Sequence, residues 1–125
     1  MGLVFISLGA LLLSLVAEDA LADAVLGGGG SDVLRGSERS EQLVGFGGED
    51  AIWGLTGHER LSGGEGEDEL YGGAGHDLLL GGLGEDFIEA KDGERDYMGC
   101  GSGKDVVSVD LIDRVRRSCD TLYPG

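Results

Sequence analysis

The stretch GGEGEDELYGGAGHDLLLGGLGEDFIE, residues 63–89, consists of three nine-residue phrases in tandem, with no spacer between them. The same period of nine extends back to residue 27, so that seven phrases run in one register. Every phrase opens with glycine, carries an acid in its sixth place and a large aliphatic residue in its eighth. Self-similarity at a short fixed period indicates a repeat architecture in which each unit packs on the next.

Each phrase predicts one turn and one very short strand. Places seven to nine alternate, with an apolar eighth residue between mixed neighbours, which is typical of a strand with one inward side chain. Glycines at places one, two and four predict the turn. A turn and a three-residue strand, repeated without insertions, close on themselves only as a solenoid of parallel strands. The predicted fold class is therefore all-β.

The composition favours cations as partners. The chain has 125 residues, enough for one domain, and 24 Asp and Glu oppose 9 Lys and Arg, for a formal charge of −15. Such a surface argues against nucleic acid and anionic lipid as partners. No Ser, His and acid combination stands in a context that indicates a nucleophilic triad, and the repeat itself explains the paired carboxylates. An enzyme is not expected.

Residues 1–22 have the pattern of a secretory signal peptide. An uncharged run from Leu3 to Ala17 precedes the small-residue site Ala20-Leu21-Ala22, and the run is shorter than the roughly 20 residues that a membrane span needs. Because no Lys or Arg precedes the run, an uncleaved anchor is the alternative. Cleavage after Ala22 would remove two acids and leave a charge of −13. We expect a secreted bacterial protein with no membrane insertion after cleavage.

The phrases resemble a known repeat family. The form GGxGxDxUx, where U is a large apolar residue, is the hemolysin-type calcium-binding nonapeptide of RTX proteins. GGGGSDVLR, GGEGEDELY, GGAGHDLLL and GGLGEDFIE match at every defined place, GFGGEDAIW lacks one glycine, and GSERSEQLV and GLTGHERLS are degenerate. The resemblance covers residues 27 to about 108. It implies a parallel β-roll, a β-solenoid with two repeats per turn, which we assign to residues 23–108.

Two repeats per turn separate the sixth-place acids into two columns eighteen residues apart. The Asp column contains Asp32, Asp50, Asp68 and Asp86, and the Glu column contains Glu41, Glu59 and Asp77. Stacked strands lie about 4.8 Å apart, and two unit charges at about 5 Å repel by roughly 3 kcal/mol at an effective dielectric of 20. A column of carboxylates without counterions would therefore resist folding.

The resemblance implies Ca²⁺ as the counterion. In the family, sixth-place acids of two stacked turns and backbone carbonyls of the GGxGx turn share each ion. The expected metal ligands are Asp32, Asp50, Asp68, Asp77, Asp86 and Glu59, with the turn residues Gly64, Gly66, Gly73, Gly75, Gly82 and Gly84. Calcium accepts roughly 6 to 8 oxygens in flexible geometry, whereas magnesium demands an octahedron. We expect the Asp column to bind ions better than the Glu column, and folding to depend on calcium.

After Glu89 the register slips by one residue. The phrases KDGERDYMG and CGSGKDVVS then place Asp96 and Asp105 in the sixth position. The glycine pattern decays beyond them, so residues 109–125 are predicted to cap the roll, because an open last turn exposes core and unpaired strand edges. Leu111 and Val115 are expected to cover that end.

The cap also holds cysteine and arginine. In an oxidising compartment, Cys100 and Cys119 are expected to form a disulfide that pins the cap, with two free thiols as the alternative. Arg114, Arg116 and Arg117 are expected to face solvent, and a basic recognition patch is the functional alternative.

Other interpretations stay open. Arg35, Trp53 and Tyr71, eighteen apart in the ninth place, predict an outward ladder that either stabilises the sheet or binds a polysaccharide or cell-surface partner. His58 and His76 are expected to stack as exposed turn residues, and a two-histidine transition-metal site is the alternative. The chain is also compatible with an orphaned structural repeat domain of an RTX hydrolase or toxin. A monomer is expected.

Overall fold

The computed structural model describes residues 3–5, 13–15 and 23–124, and every regular element in these ranges is a β-strand. No helix in these ranges is long and apolar enough to cross a membrane. The predicted cleavage after Ala22, with most of the predicted signal peptide, lies outside the described residues. The strands are β1 Leu3–Phe5, β2 Leu13–Leu15, β3 Asp23–Leu26, β4 Val33–Arg35, β5 Glu41–Gly47, β6 Ala51–Trp53, β7 Arg60–Glu65, β8 Glu69–Tyr71, β9 Leu78–Leu83, β10 Phe87–Glu89, β11 Tyr97–Ser102, β12 Val106–Val109, β13 Arg114–Val115 and β14 Thr121–Pro124.

The strands form two sheets between which the chain alternates. The large sheet has eight strands in the order β13-β11-β9-β7-β5-β3-β1-β2, and the small sheet has six in the order β14-β12-β10-β8-β6-β4. From β3 to β14 neighbouring strands of each sheet come from successive turns and pair in parallel. The antiparallel contact is that of β2 with β1. The predicted parallel β-roll is confirmed.

The pairing register confirms two repeats per turn. Leu43 pairs with Leu61 in the large sheet and Ile52 with Leu70 in the small sheet, both at a separation of eighteen. Past Glu89 the separation becomes nineteen, as in the pairing of Ile88 with Val107, so the predicted one-residue slip is also confirmed. The extra residue is absorbed in the turn before Asp96, while the eighth place stays inward.

The core is a single row of eighth-place side chains between the sheets. These residues are fully buried because the two sheets face each other across them; they are Leu34, Leu43, Ile52, Leu61, Leu70, Leu79, Ile88, Met98 and Val107. Toward the C-terminal end, Ala90, Cys100 and Val109 occupy first places and are buried too. One inward side chain per strand is a thin core, so the turns must contribute to stability.

The C-terminal segment continues both sheets. β13 and β14 add in parallel to β11 and β12, with separations shortened to 17 for Met98 with Val115 and 15 for Val107 with Leu122. The predicted disulfide is confirmed: Cys100 of β11 is bonded to Cys119, with Cα atoms 5.1 Å apart.

The prediction that Leu111 covers the end of the roll is wrong, because its side chain is 85% exposed in the turn before β13. Val115 packs against the core as expected.

Candidate metal centre

The Asp column is held by hydrogen bonds between successive turns. The backbone N–H of each sixth-place aspartate donates to Oδ1 of the aspartate one turn later: Asp32 to Asp50 at 2.8 Å, Asp50 to Asp68 at 2.9 Å and Asp68 to Asp86 at 3.0 Å. The eighteen-residue register makes this possible, since it places each carboxylate directly over the amide of the turn before. One oxygen of each carboxylate is thereby fixed to the backbone.

The second oxygen of three of these carboxylates has no hydrogen-bond partner among the described residues, whereas Oδ2 of Asp32 accepts the backbone N–H of Gly28 at 2.6 Å. Oδ2 of Asp50, Asp68 and Asp86 is buried and accepts no hydrogen bond from the described part of the chain. The three side chains are at most 2% exposed. A buried carboxylate oxygen left without a donor is unfavourable, and native proteins rarely retain one unless a water or an ion completes it. The unpartnered oxygens therefore define where a cation fits.

First-place glycines leave the space for that cation. A Cβ added to Gly63 would collide with Oδ2 of Asp68 and would stand 2.7 Å from the carbonyl oxygen of Gly81 in the next turn. Gly45 and Gly81 have the same surroundings, each between an aspartate Oδ2 and a carbonyl oxygen of the following turn. None of the three has a positive φ, so glycine is required here for space and not for backbone conformation.

These first-place glycines were absent from the predicted ligand set, although their presence in all seven phrases was the available signal. The glycines that were predicted as carbonyl ligands also shape the turn, and their role as ligands stays a prediction. Second- and fourth-place glycines, represented by Gly64 and Gly66 with φ of 113° and 119°, adopt the left-handed conformation that lets the turn close. A Cβ on Gly66 would also collide with the carbonyl oxygen of Gly48 in the preceding turn. The same description holds for Gly73, Gly75, Gly82 and Gly84.

Two second places hold bulky residues instead of glycine. Phe46 and Leu55 both have φ of 78°, which is strained for a residue with a Cβ. Both side chains are exposed, 53% and 42% respectively, so no core packing offsets the strain.

The Glu column is built less regularly than the Asp column. Its Asp77 accepts the N–H of Glu59 at 2.9 Å, as in the Asp column. Glu59, however, has both carboxylate oxygens buried without a hydrogen-bond partner in the described residues. Its longer side chain carries Oε1 against the fourth-place Gly57. A cation in this turn would have different surroundings from one beside an aspartate.

Both columns extend beyond the predicted ligands. Asp23 begins the Glu column one turn earlier, opposite Glu41, and its Oδ2 lies 3.7 Å from the Arg39 guanidinium. At the other end, Asp96 and Asp105 are fully buried, each with Oδ2 unpartnered within the described ranges. Their Oδ1 atoms accept the N–H groups of Asp77 and Asp86 at 2.7 and 2.9 Å.

Burial shifts these carboxyl groups toward the protonated form. Desolvation is the largest cause for each of them, and it raises the pKa of Glu59 to about 8, that of Asp68 to about 7 and that of Asp86 to about 6. The pKa of Asp96 is raised to about 7 by the same cause. Backbone hydrogen bonds oppose the shift at the aspartates, and neighbouring carboxylates add to it. Without a cation, the columns resist full ionisation at neutral pH.

Side chains alone do not complete a metal site. Within residues 23–124 no three His, Cys, Asp or Glu side chains lie close enough together to hold a metal ion. The remaining ligands must then come from the backbone, as the carbonyl oxygens beside Gly45, Gly63 and Gly81 suggest. A donor set made entirely of carboxylate and carbonyl oxygens suits a hard cation such as Ca²⁺.

The two histidines stack as predicted, with ring centroids 5.5 Å apart. His58 Nδ1 accepts the backbone N–H of His76 at 3.0 Å, and His76 Nδ1 contacts the carbonyl oxygen of Arg95 at 3.0 Å. These contacts occupy one nitrogen of each ring with the backbone. The arrangement favours exposed turn residues over a transition-metal site.

The ninth-place ladder also forms as predicted. The Trp53 and Tyr71 rings stack at 5.3 Å with planes 3° apart, and the Arg35 guanidinium carbon lies 5.4 Å from the Trp53 ring centroid. Both faces of Trp53 are therefore covered by its neighbours. Because a sugar ring packs on an aromatic face, this geometry favours the sheet-stabilising interpretation over the polysaccharide-binding one.

A comparison with protein-family models gave one match. The model described as RTX calcium-binding nonapeptide repeat (4 copies) matches residues 26–58 and 53–88, which together span half of the chain. Neither the comparison with curated proteins nor that with solved structures gave a match.

Proposed function

Because this chain belongs to the family of RTX calcium-binding nonapeptide repeats, we propose that its two columns of buried carboxylates bind Ca²⁺ and that calcium binding drives the roll to fold. The repeat of this family is structural and not catalytic, so no reaction is assigned to the chain. The proposal treats the protein as a module whose folded state is switched on by an ion.

One observation carries the proposal. In successive turns of the Asp column, a buried and unpartnered Oδ2 faces a carbonyl oxygen of the next turn across a glycine that has no side chain. Oxygen ligands of two turns thus converge on one small space, and a Cβ would fill it. An apo turn leaves that oxygen unsatisfied, whereas a cation satisfies it and offsets the repulsion along the column.

The aspartates and the glycines of each turn have separate roles in forming the proposed ion site. Oδ1 of Asp50, Asp68 and Asp86 accepts a backbone N–H from the turn before, which fixes the carboxylate plane and directs Oδ2 to the glycine space. First-place glycines keep that space open, and left-handed glycines shape the turn. Bound Ca²⁺ would supply positive charge and accept the remaining oxygen lone pairs. Because each such space lies between two turns, an ion there joins them.

We assign the ions of the Asp column to the intervals between Asp32, Asp50, Asp68 and Asp86. The Glu column, with Glu59 and Asp77, is proposed as the weaker binder, since Glu59 lacks the hydrogen bond to the turn before it that the aspartates make. Asp96 and Asp105 have the same unpartnered oxygen and extend the proposed ligand set beyond the residues matched to the family.

The proposed setting is outside the cell. Affinities of extracellular calcium modules fall at about 10⁻⁴ to 10⁻³ M, so the roll would stay unfolded at low calcium and fold at extracellular calcium. The Cys100–Cys119 disulfide supports an oxidising compartment. Cleavage of residues 1–22 by signal peptidase is part of this proposal.

Calcium-dependent folding is tested by far-ultraviolet circular dichroism in chelator and then in millimolar calcium, with bound ions counted in the folded protein. We expect a transition from disorder to β-structure. Asp68→Asn should raise the calcium midpoint and lower the ion count, since the amide keeps a carbonyl-type acceptor but loses the charge. Glu67→Gln is the matched control, because Glu67 is an exposed acid in the same turn. An unchanged spectrum on calcium addition to the wild-type protein would contradict the proposal.

A further inference from the structure

The outer face of the large sheet contains no acid from β3 to β13. It is formed by the seventh- and ninth-place side chains, which point away from the core. These are Ala24, Leu26, Gln42, Val44, Arg60, Ser62, Leu78, Leu80, Tyr97, Gly99, Arg114 and Arg116. Acids return only at the ends of these strands, at Asp23 in β3, Glu41 in β5 and Glu65 in β7. A chain with a formal charge of −15 thus carries one face with three arginines and no carboxylate.

The arginines of this face are available for a ligand. Arg60, Arg114 and Arg116 are exposed, and within the described residues none of them is paired with a carboxylate. The ion pair found in that part of the chain is Arg39 with Asp23, at the turn. On the small sheet, by contrast, Arg35 lies over the Trp53 ring. Unpaired guanidinium groups have bidentate geometry that matches carboxylates.

A pocket of about 290 Å³ lies at the C-terminal end of the face, lined by Leu78, Tyr97, Met98, Arg114, Val115 and Arg116. Gly99 deepens the pocket, because it has no side chain in a ninth place where the neighbouring turns have Leu80 and Arg116. The Arg116 Cδ lies 3.4 Å from where a Cβ of Gly99 would stand, so its side chain extends across this gap. Tyr97 is 48% exposed, and its ring is stacked on no other aromatic ring of the described residues.

The shape of the cationic face selects among anionic partners. The seventh to ninth places, which carry the arginines, span only about 10 Å along each strand, and the acid columns run along both borders of the large sheet. The Debye length at physiological ionic strength is about 8 Å, so an extended anionic surface would sense the carboxylates as well as the arginines. A single polymer strand can lie within the cationic face alone. This geometry favours a thin anionic chain over a membrane surface.

We propose that this pocket binds a carboxylate-bearing sugar unit of an anionic polysaccharide. The exposed Tyr97 ring packs against the apolar face of the sugar, and the Arg114 and Arg116 guanidinium groups donate hydrogen bonds to its carboxylate. Arg60 lies three strands away along the same column, about 14 Å, where it meets a further carboxylate of the polymer. The proposal concerns the folded roll, and to that extent it rests on the proposed calcium-dependent folding.

The test uses the full chain in millimolar calcium, after circular dichroism has shown that it is folded. Hyaluronan oligosaccharides are the probe, and chitin oligosaccharides are the matched uncharged probe, because they share the N-acetylglucosamine unit but lack the carboxylate. We expect hyaluronan to bind with an affinity that falls as salt rises, and chitin to bind at least tenfold more weakly. Arg114→Gln combined with Arg116→Gln should weaken hyaluronan binding at least tenfold, and Tyr97→Ala should weaken it severalfold.

Arg117→Gln is the matched control, since Arg117 is exposed in the same segment but does not line the pocket. It should bind hyaluronan like the wild-type protein. The proposal is overturned if folded protein does not bind hyaluronan, if the double variant binds it as tightly as the Arg117→Gln control, or if chitin binds equally well. Binding to phosphatidylserine vesicles or to a single-stranded oligonucleotide in place of hyaluronan also overturns it. A chain that does not fold in calcium contradicts instead the folding proposal.

Discussion

Replacing Gly63 by alanine tests the proposed ion site with a single methyl group. The added Cβ would collide with Oδ2 of Asp68 and stand 2.7 Å from the Gly81 carbonyl oxygen, which is the space assigned to the ion. Since calcium–oxygen distances are about 2.3 to 2.6 Å, methyl and ion cannot occupy that space together. Gly63 has no positive φ, so alanine introduces no backbone strain that would confuse the result.

The magnitude follows from linkage. For a dissociation constant of about 10⁻⁴ to 10⁻³ M, one site at 10 mM calcium stabilises the folded state by about 1.4 to 2.7 kcal/mol. Loss of that ion should therefore destabilise the roll by a similar amount at 10 mM calcium. Overpacking would add about 1 to 3 kcal/mol if the turns do not move apart. We expect Gly63→Ala to raise the calcium midpoint of folding and to lower the bound-ion count by at least one.

Gly47→Ala is the matched control for this variant. Gly47 ends β5 just before the turn that leads to Asp50 and also lacks a positive φ, but its added Cβ would have no atom closer than 3.9 Å. The control should be neutral or slightly stabilising, because alanine restricts the unfolded chain. The assays are calcium titration followed by circular dichroism and ion counting by equilibrium dialysis. If Gly63→Ala keeps the wild-type ion count and midpoint, the assignment of the glycine space to the ion is refuted.

Three further predictions follow from the same geometry. Folding without the ion depends on pH. The folded pKa values of Asp68, about 7, and Glu59, about 8, lie above their unfolded values, so apo stability is greatest at acid pH and is lost as pH rises through these values. Denaturation in chelator between pH 4 and 8 measures this dependence, and a rise in stability with pH would contradict the prediction. Calcium must displace those protons, so titration calorimetry near pH 6.5 in buffers of different ionisation enthalpy should show proton release, and equal heats in all buffers would argue against the raised pKa values. Phe46→Gly should stabilise the folded roll by about 0.5 to 1 kcal/mol in thermal denaturation, because glycine relieves the cost of a φ of 78° at an exposed position. Destabilisation would show instead that the Phe46 side chain has a packing role.

The disulfide gives a fifth prediction. In the chain-entropy model, a bond across a separation of 19 residues stabilises the folded state by about 3 kcal/mol. A Cys100→Ala, Cys119→Ala variant should therefore need more calcium to fold. The measurement is again the circular dichroism midpoint, and an unchanged midpoint would show that the shortened last turn is held by its strand pairing alone.

The sequence by itself determined the roll. A glycine in every first place, an acid in every sixth and an aliphatic residue in every eighth allow only a turn and an inward-facing strand, and the period of nine then sets the pairing of Leu43 with Leu61. The slip after Glu89 was also visible in sequence, because Met98 and Val107 kept the eighth place. Local periodicity was sufficient here because every contact in such a roll is with the next turn.

Tertiary structure decided what periodicity does not encode. Only the stacked turns show that Gly63 faces Oδ2 of Asp68 and the carbonyl oxygen of Gly81, because Gly81 is eighteen residues along the chain and the directions of both oxygens are set by the folded backbone. Only the alternation of strands between sheets shows that Arg60, Arg114 and Arg116 share a face without acids, although the net charge of the chain argues for the opposite. Net charge is a sum over all surfaces, whereas a ligand senses the charges within a Debye length of where it binds.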